Sequence, residues 1–161
     1  MTHMCIGIDP GASGGISSIL KTDLGNIIGI LKPFKSIDEA NSSIKVCLEY
    51  QPSTVIACIE NVHAFPTDGR SSAFKFGKNA GIWEGLLTAH KIPFTKVVPH
   101  QWMSHFGEMP KKKDERKKHL KSIAQDILDK NESKYKATLK TADAFLIAQY
   151  ITDKEEEWQT G

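Results

Sequence analysis

The sequence predicts an α/β domain with a mixed five-stranded sheet, three antiparallel strands followed by parallel additions, flanked by helices. Three observations predict it. Two strand-like runs, residues 4–9 and 15–20, are joined by the tight glycine turn PGASG, as in a hairpin, and a third run, NIIGILK, follows the turn-like DLGN. The run TVIACI, residues 54–59, is apolar without alternation, as expected of a central parallel strand covered on both faces. Helical periodicities lie on both sides of that run and supply the crossovers.

The elements follow in order β-β-β-α-β-α-β-α-α. Residues 36–50 read as a helix: Ile37, Ala40, Ile44, Cys47 and Leu48 recur at helical spacing, Ser36 is the N-cap and Glu39 stands three residues on. Pro52 and Ser53 end it. After the apolar strand, residues 61–70 form a loop with Pro66, Asp68 and Gly69, and residues 71–90 form a long helix. A short strand, 94–98, sits between Pro93 and Pro99, and a segment containing Trp102 follows. Residues 111–130 form a basic helix with the stripe Leu120, Ile123, Ala124, Ile127 and Leu128. A last helix spans residues 141–151. No internal repeat or low-complexity segment interrupts the series.

At 161 residues, 40% apolar and 25% charged, the chain reads as one globular domain over 1–161. No apolar run approaches the roughly 20 residues of a membrane span, so no membrane association is expected. MTHM leads directly into strand-like sequence without a signal-peptide pattern, and a cytoplasmic location is the expectation. Cys5, Cys47 and Cys58 show no metal-ligand spacing and read as small buried hydrophobes in a reducing compartment. The net charge is only +2, but KKKDERKKHLK, residues 111–121, holds seven cationic and two acidic side chains. Such a run is either a solvated helix face or a surface for a polyanion.

Asp9 ends the first strand and Glu60 follows TVIACI directly. If those strands are parallel neighbours, about 4.8 Å apart, both carboxylates project into one small volume at the sheet edge where α/β proteins bind ligands. Asp143 begins the last helix, TADAFLIA, ahead of a surface that must pack inward. Grouped carboxylates repel unless a cation or proton compensates. Oxygen-only donors favour Mg²⁺ or Mn²⁺, and two such ions are a common device for phosphodiester hydrolysis. The plainer reading takes each acid separately, satisfied by water and backbone at a strand end or helix start.

IGIDPGASGGI, then IENVHAFPTDGRSSAFKFGKNAGIWEGLL, then VVPHQW and TADAFLIAQY resemble, in that order, the RuvC-type Holliday-junction resolvases, especially their phage-type branch. The four blocks span nearly the whole chain. The resemblance implies an RNase H-like fold, a homodimer, and cleavage of four-way DNA junctions with Mg²⁺ or Mn²⁺ in a bacterial or phage-infected cell. It makes Asp9, Glu60 and Asp143 the catalytic metal ligands. One departure stands out. The family usually carries a further acid or histidine three or four residues before its last aspartate, where this chain has Lys140 and Leu139. Lys140 is either an exposed helix-start lysine or a point charge for a scissile phosphate.

Ala73, Gly77, Gly81, Gly85 and Ala89 lie four residues apart along the long helix, a ridge of small residues that admits another backbone, either the sheet or a partner helix. The resemblance implies the dimer interface. Arg70, at the end of the preceding loop, and Lys75 and Lys78, on this helix, are candidate phosphate contacts. Phe65, in the preceding loop, is the nearest match to the family's base-stacking aromatic. In the basic helix, Lys111, Lys112, Lys113, Arg116, Lys117 and Lys118 are the DNA-facing candidates. The histidines show no ligand spacing; His63, nearest the acids, is a candidate for proton transfer, and Trp83 and Trp102 read as core. The expected function is a metal-dependent, structure-selective endonuclease on branched DNA. The alternative is a branched-DNA-binding module that cuts weakly or not at all. An actin-like phosphotransferase needs about twice this length, and YqgF-type nucleases lack the IENVHAF block.

Overall fold

The first strand sets the arrangement of everything around it. In β1 (His3–Asp9), Met4, Ile6 and Ile8 alternate with Cys5, Gly7 and Asp9, so the two sets point to opposite faces. The computed structural model describes residues 1–61, 63 and 66–160, with backbone alone for 156–160. β1 pairs antiparallel with β2 (Gly15–Thr22), and β2 with β3 (Gly25–Pro33). On its other side β1 pairs in parallel with β4 (Thr54–Glu60), which pairs in parallel with β5 (Phe94–Val97). The order is β3-β2-β1-β4-β5, the mixed five-stranded sheet that the sequence predicts.

Both faces are covered. Met4, Ile6, Ile8, Ala57 and Ile59 pack against α1 (Ile37–Glu49) and α2 (Arg70–Ala89), around Ile44, Trp83 and Leu87. Cys5, Cys58 and Val97 pack on the opposite face against α3 (Pro99–His105), α4 (Lys113–Lys130) and α5 (Ala142–Thr160). That second core contains Trp102, Leu120, Ala124, Leu128 and Phe145. The continuous apolar run in β4 thus has a helix layer on each side. Among the described residues, no helix is long and apolar enough to cross a membrane.

The predicted start of α1 is realised: the Ser36 side chain accepts from the Glu39 N–H at 3.1 Å, a cap worth about 1 kcal/mol. Three elements differ from expectation. The Trp102 segment is itself a helix, α3, opened by Pro99 with the Val98 N–H donating to Gln101 Oε1 at 3.1 Å. α4 begins at Lys113, because the Arg116 guanidinium donates to the Pro110 and Lys111 carbonyls and holds the preceding residues as a lead-in. α5 continues past residue 151 through the acidic DKEEE to Thr160. Its extension is tied down: Asp153 Oδ2 lies 2.7 Å from His105 Nε2 on α3, and Glu155 Oε2 accepts from the Cys5 thiol at 3.4 Å.

α5 lies directly on β1 at one place. A Cβ on Gly7 would collide with the Ala144 carbonyl oxygen and the Ala148 backbone, whose Cα would be 2.9 Å away. Backbone cannot yield as a flexible side chain does, so Gly7→Ala should destabilise the fold by at least the upper end of the about 1–3 kcal/mol typical of overpacking. Denaturant unfolding followed by circular dichroism measures this. A variant within about 0.5 kcal/mol of the parent would contradict the close approach.

A carboxylate site at the sheet edge

Alternation along two neighbouring strands builds the site. Asp9 shares its face of β1 with Cys5 and Gly7, the α5 side. On β4, Cys58 and Glu60 share that face while Ala57 and Ile59 turn to the other core. The parallel register pairs Ile8 with Ile59, so Asp9 and Glu60 are the next residues at adjacent strand ends. Asp143 comes from the first turn of α5, which the Gly7 contact presses onto the same strand.

The turn after Asp9 is shaped around its carboxylate. The Gly11 N–H donates to Asp9 Oδ1 at 3.0 Å, and the Gly14 N–H closes the turn on the Gly11 carbonyl at 2.9 Å. A Cβ on Gly14 would collide with the Asp9 backbone carbonyl and come within 2.8 Å of its carboxylate carbon. Glycine is therefore required by the close turn of the chain over Asp9, backbone and side chain alike. Glu60 is buried, 8% exposed, and its Oε2 accepts from Trp102 Nε1 at 2.7 Å.

The three acids influence one another. Burial pushes the Glu60 carboxyl up to about 8; Asp9 adds to the rise, the Trp102 N–H opposes it, and Asp143 adds further. Burial likewise pushes Asp143 up to about 7, with Asp9 adding and Lys117 and Arg116 opposing. Asp9 is raised by burial and drawn back by the Gly11 N–H and Lys117. Three acids that resist ionisation together form an oxygen-only donor set whose charge a hard divalent cation would relieve, so their chemistry fits Mg²⁺ or Mn²⁺. Among the described residues, no three His, Cys, Asp or Glu side chains are already set to hold an ion as they stand. The cysteines offer no competing site, since burial pushes Cys5 and Cys58 up to about 12 and Cys47 to about 11.

The cationic candidates divide by position. Lys117 and Arg116 act electrostatically on the acids, so the beginning of α4 faces the site. Lys111, Lys112, Lys113 and Lys118 are exposed around them. Lys75 and Lys78, also exposed, line a cavity of about 360 Å³ with Lys35 and with Ala12 of the Asp9 turn. Lys35 is an addition that the sequence did not single out. Arg70 is exposed at the start of α2, and Lys140 is exposed with Leu139 just before α5. His63 is exposed, and Phe65 lies outside the described residues.

The small-residue ridge does not pack on the sheet. Among the described residues a Cβ at Gly77, Gly81 or Gly85 would meet nothing within 4 Å, and the three glycines are exposed. Ala73 is half-buried and Ala89 exposed. Phe74, one helical turn before Gly77, is 73% exposed. Sequence reasoning also missed the bond from Trp102 to Glu60. A buried indole usually finds a partner for its N–H, but nothing local in VVPHQW points to an acid forty-two residues away.

Solved structures carry the same arrangement of elements. The chain matches Thermus thermophilus RuvC at a TM-score of 0.60 with 19% identity, covering 96% of each chain. The fold is that of RuvC. A T. thermophilus RuvC in complex with a Holliday junction substrate matches at 0.58, with 15% identity over 96% of each chain. The yeast mitochondrial Holliday junction resolvase Ydc2 matches at 0.50, with 14% identity over 97% of this chain and 80% of that one. No family model and no curated protein matches the sequence. The RuvC fold is RNase H-like, as the motif blocks imply.

Because the Glu60 and Asp143 carboxyls are raised, the folded chain binds protons that the unfolded chain releases. That stabilisation is complete below the ordinary carboxyl range and is lost as pH rises through about 7 and 8. The metal-free protein in EDTA should therefore melt at a lower temperature at pH 9 than at pH 5. Glu60→Gln should flatten the profile, and equal slopes in the two proteins would contradict the assignment.

Proposed function

We propose that the protein is a metal-dependent, structure-selective endodeoxyribonuclease that resolves four-way junctions and other branched DNA by phosphodiester hydrolysis. The observation that carries this is the convergence of Asp9, Glu60 and Asp143, from β1, β4 and α5, at the C-terminal edge of the parallel strands. The RuvC fold and the four motif blocks support the same reading, and the blocks favour the phage-type branch in a bacterial or phage-infected cytoplasm. Asp9, Glu60 and Asp143 hold Mg²⁺ or Mn²⁺, two ions per site. Bound there, such ions supply the Lewis-acid charge that activates a water and stabilises a leaving phosphate-ester oxygen.

The chain's own groups do the rest. Gly11 and Gly14 keep the space before Asp9 clear for a phosphate backbone. Lys117 lends positive charge beside the acids, and Lys75 and Lys78 flank the Asp9 turn on the other side. The exposed lysines of residues 111–118 and Lys140 widen this basic surface, whose contribution to affinity is electrostatic and salt-dependent. By the resemblance of the motif blocks, Phe65 is the residue for stacking on an unpaired base at the junction centre. The open ridge of Ala73, Gly77, Gly81 and Gly85 supports a homodimer, with two copies of α2 approaching closely and two sites serving two strands of a symmetric substrate.

A second reading has its own support. Leu139 and Lys140 provide no fourth acid, and both are exposed, so the chain could bind branched DNA without cutting it. Asp9→Asn decides between the two. With Mn²⁺ and a labelled four-way junction, the nuclease reading expects cleavage by the parent and a loss of about a thousandfold or more in the variant. Junction affinity measured by mobility shift should remain within about threefold. Tight binding by the parent without product in any divalent ion would establish the binding module instead.

The dimer has a separate test. Gly81→Arg enters open space in one subunit and so leaves its fold intact, while blocking close approach by a second α2. Sedimentation should show a folded monomer where the parent is a dimer. A variant that still dimerises would place the interface elsewhere.

A further inference from the structure

Among the described residues two tryptophans are fully buried, Trp83 at 1% and Trp102 at 0% exposure, but their N–H groups have different surroundings. Trp83 Nε1 has no hydrogen-bond partner among the described residues, and its ring packs edge-to-face on Phe34 at 5.7 Å, as a core residue. Trp102 Nε1 donates to Glu60 Oε2 at 2.7 Å.

The surroundings fix that bond at both ends. Glu60 pairs with Val97 across β4 and β5, and the Asn61 N–H donates to the Val97 carbonyl at 2.7 Å. Val97 is followed at once by the corner into α3, where Gln101 caps Val98 and sets the helix that carries Trp102. The indole is then enclosed by the core of α4 and α5. A hydrophobic side chain of similar size would fill this position without a polar atom, and a lysine or arginine would neutralise the acid. An indole N–H does neither: it orients a carboxylate while leaving its charge intact.

Resting on the metal reading above, we propose that Trp102 is the positioning residue for Glu60. Its N–H engages Oε2, holds the carboxylate in one rotamer and leaves Oε1 as the oxygen offered to a divalent ion beside Asp9. Groups that orient metal ligands in this way typically change affinity by about 10–100-fold when removed.

The test measures metal binding in the absence of DNA, so it does not depend on cleavage. Mn²⁺ affinity is read by titration calorimetry for the parent, Trp102→Phe and Trp83→Phe. The expected result is at least about tenfold weaker binding for Trp102→Phe, with Trp83→Phe within about twofold of the parent. Replacement of Trp102 by benzothienylalanine keeps the bicyclic shape and puts sulfur in place of N–H. It should reproduce the loss with an unchanged melting temperature, even if Trp102→Phe folds poorly. Parental Mn²⁺ affinity in the benzothienylalanine protein overturns the proposal alone. Absence of Mn²⁺ binding by the parent at millimolar concentrations overturns the metal reading and this proposal with it.

Discussion

The close approach of α5 to β1 at Gly7 is the constraint on which the rest of the structure depends. Three of the four backbone-level features of the site follow from it. The strand must be central, since a helix lies on one face of it and the α1–α2 layer on the other. The first turn of α5 must come to the end of β1, since Ala144 and Ala148 are the residues seated on Gly7. Asp143, immediately before Ala144, is then carried to the strand end where Asp9 stands. The fourth feature, the adjacency of Asp9 and Glu60, comes from the parallel register of β1 and β4. A glycine in the middle of a strand ordinarily weakens it; here its missing side chain makes room for the helix that brings the third acid.

Burial of those acids opposes folding and suits the proposed metal chemistry at the same time. An isolated carboxylate at this depth would bind a proton, and the rises at Glu60 and Asp143 express that tendency. Neighbouring charge increases it, because each acid makes ionisation of the next more difficult. The groups that oppose it are few and specific: the Gly11 N–H at Asp9, the Trp102 N–H at Glu60, and the cations Lys117 and Arg116. They lower the penalty without removing it, leaving a site with affinity for added positive charge.

Much of this was legible in the sequence because it rests on local periodicity. The glycine turn, the unalternating β4 run and the Ser36 cap each carry a short-range signal, and together they give the sheet order and the two acids at its edge. The end of α5 was not legible, because the acidic DKEEE resembles a solvated tail until His105 and the Cys5 thiol are brought to it from α3 and β1. The role of Trp102 was obscured for the same reason. Apolar context marks it as core, and core it is, but the acceptor of its N–H lies forty-two residues away. The glycine ridge was ambiguous at the level of sequence, since spacing establishes that a face is small without establishing what it faces. Three dimensions exclude the sheet and leave it open to solvent.

The absence of an acid at Leu139 and Lys140 takes on a physical meaning in this setting. A fourth carboxylate would add negative charge to a site that already holds Glu60 and Asp143 well above their ordinary range. In its place the turn before α5 carries an exposed lysine, and Lys117 approaches from α4 to act on both aspartates. In the proposed metal site, fewer negative charges mean that less of the attraction for a divalent ion comes from charge alone. More must come from ligands already held in the right orientation, since an oriented carboxylate loses less conformational freedom on binding than a mobile one. Asp9 is oriented by Gly11 and Glu60 by Trp102, each through a neutral N–H that leaves the carboxylate charge in place. Two of the three acids of the proposed metal site are thus preorganised.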